Sequence, residues 1–122
     1  MNDESTRART QVPVACGMSA LTAEQQERQR AVHRQLRADV EEVVRLEDGY
    51  AFRHSPGRAV LLAVAEFVAN EHLCCPFLEF GITVESGGPA WLRMTGEGEA
   101  KPVLEAKMGV GARAATPWAG RP

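Results

Sequence analysis

Cys74 and Cys75 are neighbours in the stretch EHLCCPF, residues 71–77, and a third cysteine, Cys16, lies upstream in VACGMSAL. Adjacent cysteines are poorly placed for an ordinary disulfide with one another. Their Cα atoms are ~3.8 Å apart across a trans peptide, short of the ~4.4–6.8 Å that relaxed disulfides span. Two neighbouring thiolates can instead share one soft ion if the backbone turns between them, and the Cys75–Pro76 step provides a turn. With Cys16 folded back onto the pair, three thiolates would suit Hg(II), Cu(I) or As(III), and with His or water added they would suit Zn(II). His72 and His54 are the candidate fourth ligands, whereas His33 sits among charges on the first helix and reads as a solvated side chain. Two other readings stay open. The cysteines can simply pack, because free Cys is among the most buried residue types, or they can serve as redox thiols, which the absence of C-x-x-C disfavours.

Glu71 belongs to the same question. It continues the apolar series Val60, Val64, Phe67 at helical spacing. A carboxylate on a buried face costs several kcal/mol unless it is paired, coordinated or protonated. Glu71 is therefore a candidate metal ligand, a neighbour of the ligands, or an acid/base near the thiols; the alternative is that it reaches solvent at the helix end. The partial negative charge of a helix C-terminus opposes thiolate formation at Cys74, so the helix does not activate these thiols.

The elements that must position these residues follow from patterning. Thr22 and Gln25 form a T-x-x-Q capping box, and Val32, Leu36, Val40 and Val43 recur on one helical face. With Gly49 as a stop, the first helix is expected over 22–47. YAFRH, 50–54, reads as a short strand. Ser55 as N-cap and Pro56 at the first helical position open a second helix. Its apolar residues from Ala59 to Leu73 run nearly all round, which predicts extensive burial. Pro76 ends it near Cys74. LEFGITVE, 78–85, alternates as a half-buried strand, SGGP turns, and AWLRMT, 90–95, is its hairpin partner. A short helix is expected around 101–107. The order α-β-α-β-β-α gives an α+β fold, a small three-stranded antiparallel sheet packed with two main helices. Exposed sheet edges suggest a homodimer. One domain over 13–108 is flanked by tails at 1–12 and 109–122 that are expected to be disordered.

Composition narrows the function class. The chain has 122 residues, a formal charge of −2 and 25% charged residues. Arginine is interleaved with Glu and Asp, which argues against a nucleic-acid partner. MNDESTRARTQ lacks the apolar core of a secretion signal, and Ala59–Val68 is too short to span a bilayer. A cytoplasmic protein with no membrane partner is the expectation. In a reducing compartment, three cysteines suggest reactive thiols or metal ligands more than structural disulfides.

Cys16 followed by ALTAEQQERQR, then LEDGYAFRH, EHLCCPFLEF and AWLRMTGEGEAK, resembles an uncharacterised bacterial protein family associated with regulators and genes for resistance to mercury and other heavy metals. The resemblance spans about residues 14–104. Its distinctive piece is E-x-x-C-C-P-F-x-x-F, here Glu71, Cys74, Cys75, Pro76, Phe77 and Phe80. It implies that Cys16, Glu71, Cys74 and Cys75 form one site, and it supplies no established activity. His72 occupies a position of the motif where no fixed residue is expected.

Three functional expectations result. The leading one is a soft-metal-binding protein for sequestration, delivery or sensing, with Cys16, Cys74 and Cys75 as ligands and Glu71 and His72 as further candidates. The second is a thiol-based enzyme that takes an organometal substrate. Cys74 and Cys75 would capture the metal while a protonated Glu71 delivers a proton to the leaving carbon. The third is a structural or interaction module with packed cysteines.

Overall fold

A computed structural model describes residues 16–110 and 115–117; the expected tail at 1–12 lies outside the described residues. A 3-10 turn at Met18–Ala20 leads into α1 (Ala23–Asp39), β1 (Glu42–Arg45), β2 (Gly49–His54), α2 (Arg58–Cys74), β3 (Glu79–Val84), β4 (Ala90–Thr95), α3 (Ala100–Met108) and β5 (Ala115–Pro117). The α+β class agrees with the expectation. The sheet is larger than expected: its order is β3-β4-β2-β1-β5, four antiparallel strands with short β5 pairing parallel to β1. Within the expected tail 109–122, Ala115–Pro117 is thus a strand, and 111–114 and 118–122 lie outside the described residues.

The first helix begins as its capping box dictates, with Thr22 Oγ1 accepting from Gln25 N–H and Gln25 Oε1 accepting from Thr22 N–H. It stops at Asp39, well short of 47. Val40, Val43 and Val44 favour extended backbone because branching at Cβ restricts χ1, and residues 42–45 form β1 against β2. The Val40–Val43 spacing fits a helix by coincidence. Gly49 is not a helix stop but the first residue of β2, where a Cβ would collide with the Met94 backbone carbonyl of β4.

The N-cap of α2 is Gly57, not Ser55. Ser55 instead gives its hydroxyl and its N–H to the Asp39 carboxylate, at 2.8 and 3.2 Å. Only one stripe of α2 is buried, containing Ala63, Val64, Phe67, Glu71 and Cys74, while Leu62 and Leu73 are exposed. The apolar appearance of the whole helix overstated its burial. The β3–β4 hairpin forms as expected, with Glu79 opposite Thr95 and Val84 opposite Ala90. β3 is an edge strand, however, and Ile82 and Val84 are exposed.

Tyr50 and Phe52 of β2 pair with Met94 and Leu92 of β4, and all four join Val32, Leu36, Val64, Phe67 and Leu104 in the core. α1 and α2 are tied across their polar margin by Arg28 and Glu66, whose guanidinium and carboxylate make two hydrogen bonds of 2.6 and 2.9 Å. This scaffold fixes the C-terminal end of α2, where the cysteines lie.

Candidate functional site

Cys75 is the C-cap of α2 and leaves helical geometry at φ −124° and ψ 70°. Its N–H still donates to Glu71 O at 2.8 Å, and its carbonyl accepts from Leu78 N–H at 3.1 Å. The turn expected from Pro76 therefore exists and is pinned on both sides. Gly17 N–H donates to Cys74 O at 2.8 Å, clamping the segment before α1 onto the end of α2. That clamp brings Cys16 to Cys75, and the two form a disulfide with Cα atoms 4.4 Å apart. Cys16 thus reaches the pair. The expectation that the cysteines would avoid structural disulfides is corrected for Cys16 and Cys75, while Cys74 and Cys75 are not bonded to one another.

Cys74 points elsewhere. Its thiol donates to Asn70 O at 3.4 Å and lies 4.0 Å from Met18 Sδ. Burial pushes its pKa up, and the Glu71 charge adds to that, so Cys74 stays a thiol. Consecutive residues at a helix end project in different directions, which separates Cys74 from Cys75. Among the described residues, Cys16, Glu71 and Cys75 place one sulfur or carboxylate oxygen each within 4.8 Å of one another. Cys74 is not in that group.

Glu71 is 1% exposed, as its place in the apolar stripe implied. Its two oxygens are both engaged. Oε1 accepts from Gln29 Nε2 at 2.8 Å, and Oε2 lies 3.2 Å from Lys107 Nζ of α3 and 3.5 Å from Cys75 Sγ. While Cys75 is in the disulfide, the last is a contact; a Cys75 thiol would donate its proton there. Gln29 also donates to Phe67 O at 3.1 Å and accepts from Asn70 Nδ2 at 3.3 Å, so its amide is locked. Sequence patterning missed Gln29 and Lys107. Gln29 was legible in principle, since Gln29, Val32 and Leu36 follow helical spacing on the buried face. Lys107 carried no such signal, because only folding brings α3 beside α2.

The histidines depart from expectation. His72 is exposed and outside the Cys–Glu group. His54 is 2% exposed but its Nδ1 is 3.1 Å from Asp39 Oδ2, and it too is outside the group. His33 is not a solvated side chain. Its ring lies 5.7 Å from the Phe67 ring, and its Nε2 is buried without a hydrogen-bond partner among the described residues. Burial lowers the His33 pKa, partly offset by Glu71 and reinforced by Lys107 and Arg37.

No family model, curated protein or solved structure matches the chain. The site is therefore read from its own chemistry. It contains two sulfurs able to open to thiols, a buried carboxylate fixed by an amide and an ammonium, and a third thiol turned aside.

Proposed function

We propose that the chain is a soft-metal-binding protein whose ligands are Cys16 and Cys75 in their reduced form, with Glu71 as the adjoining oxygen donor. The observation that carries this reading is the mutual approach of two sulfurs and a buried carboxylate oxygen within 4.8 Å. A dithiol reductant would open the disulfide, taking its two electrons and two protons to the sulfurs and leaving as a disulfide itself. A divalent ion would then displace both protons and form two metal–sulfur bonds.

Charge balance favours a divalent ion. Two thiolates and Glu71, offset by the Lys107 ammonium, carry two net negative charges in a buried setting. Uncompensated buried charge is costly, so the pocket is stable as a disulfide, as two thiols, or around a divalent cation. Hg(II) and Zn(II) meet that condition better than Cu(I), and As(III) lacks a third thiolate while Cys74 points away. We place the working form in the reducing cytoplasm, where the disulfide opens. No helix among the described residues is long and apolar enough to cross a membrane.

Titration of reduced protein with Hg(II), Zn(II), Cu(I) and As(III) tests the reading. Cys16→Ser and Cys75→Ser should weaken Hg(II) binding at least a hundredfold, while Cys74→Ser should leave it near wild type. Equal binding by wild type and the Cys16→Ser/Cys75→Ser double variant would end the proposal. Cleavage of a carbon–metal bond is a less favoured use of the site, because it needs a protonated Glu71 and Lys107 Nζ lies 3.2 Å from that carboxylate. Incubation with an organomercurial, showing no hydrocarbon above a thiol-only control, is the expected result.

A further inference from the structure

A cavity lies away from the cysteines, between the end of α1, the sheet and the end of α3. It has a volume of about 190 Å³ and is walled by Leu36, Val40, Phe52, Leu92 and Met108, with His54 and Arg37 as side chains able to hydrogen-bond a guest. A cavity of about 150 Å³ accommodates benzene, so this one holds a single six-membered ring with a small substituent.

His54 gives the cavity a chemical preference. Its Nδ1 lies 3.1 Å from Asp39 Oδ2. Asp39 is in turn held by the Ser55 hydroxyl at 2.8 Å and the Ser55 N–H at 3.2 Å. Burial raises the Asp39 pKa, but the Ser55 hydrogen bonds and His54 outweigh it, so Asp39 is a carboxylate and can only accept. The Nδ1 proton therefore belongs to the ring, and the neutral imidazole keeps a lone pair on Nε2. Burial holds the ring neutral, against the opposing pull of Asp39 and Glu41. Among the described residues Asp39 is the ring's hydrogen-bond partner. His54 lines the cavity and Asp39 does not.

We infer that this cavity binds a small single-ring molecule bearing one hydroxyl, the apolar body lying on Leu36, Phe52 and Leu92 and the hydroxyl donating to His54 Nε2. A hydrophobic wall supplies affinity without discrimination, whereas a fixed buried acceptor rejects a guest that leaves it unpaired. The reading is independent of the thiol site, and oxidised protein suffices to test it.

Phenol and toluene are the matched probes, added to oxidised wild-type protein at pH 7.5 and followed by calorimetry and by the His54 ring nitrogen resonances. Phenol should bind at least tenfold more tightly than toluene and shift the Nε2 resonance. His54→Phe should abolish that preference. Val40→Phe, which fills the cavity and leaves the His54–Asp39 pair intact, should block both probes, so the test survives if the His54 variant fails to fold. Equal affinity for the two probes, no phenol binding at millimolar concentration, or phenol binding unchanged by Val40→Phe would each overturn the inference.

Discussion

Replacing Lys107 with Met should leave Glu71 a buried charge without its compensating partner. Lys107 Nζ is 3.2 Å from Glu71 Oε2, and the carboxylate is 1% exposed. Met keeps most of the apolar stem and removes the ammonium. Leaving the buried carboxylate without its partner costs about 3–5 kcal/mol. Lys107 is 21% exposed, so solvent already screens part of the pair, and the Gln29 hydrogen bond survives. The expected loss is about 2–3 kcal/mol at pH 7. Urea unfolding at pH 7.0 with the disulfide intact measures this. Glu71→Gln, which can keep a hydrogen bond to Gln29, should cost about 1 kcal/mol, and adding Lys107→Met to it should cost little more. A Lys107→Met penalty below about 0.5 kcal/mol at pH 7 would refute the claim that Glu71 is a buried charge held by Lys107.

Opening the Cys16–Cys75 link, which spans 59 residues of sequence, removes a constraint worth about 4 kcal/mol on the chain-entropy model. Cys16→Ser should therefore lower urea stability by about 2–4 kcal/mol against oxidised wild type, and an unchanged midpoint would count against the bond. Gly49→Ala forces a Cβ to within 2.8 Å of Thr95 Cα and into the Met94 carbonyl. Overpacking of this kind costs about 1–3 kcal/mol, so a Tm equal to wild type would contradict the strand register. Stability should also fall between pH 7 and pH 5. Burial lowers the pKa of both His33 and His54 in the folded state, so below pH ~6.5 the unfolded chain takes up protons that the folded chain refuses. Thermal unfolding that is flat or rises over that interval would sink the assignment of buried neutral imidazoles.

Local signals made much of the fold legible. The Thr22–Gln25 capping box, the arrest of α2 at Cys74 before Pro76 and the pairing of β3 with β4 each depend on residues close in sequence. The same local reading failed where two periods coincided. Val40 and Val43 fit a helical face, yet β-branched residues there pair with β2 as a strand. Ser55 and Pro56 looked like a helix entrance, but a distant acceptor, Asp39, claimed the serine.

The candidate site divides along the same line. Sequence by itself marked Cys16, Glu71, Cys74 and Cys75, because a carboxylate in an apolar helical stripe and an adjacent thiol pair are anomalies at short range. It also excluded a relaxed bond between the neighbours, since peptide geometry alone sets their separation. Tertiary structure decided which thiols meet. The Gly17–Cys74 backbone hydrogen bond delivers Cys16 to Cys75, while Cys74 turns toward Met18. It also supplied Lys107 from the far end of the chain to balance Glu71. Pairing across such separations is fixed by how the helices pack, and no pattern within a single helix encodes it.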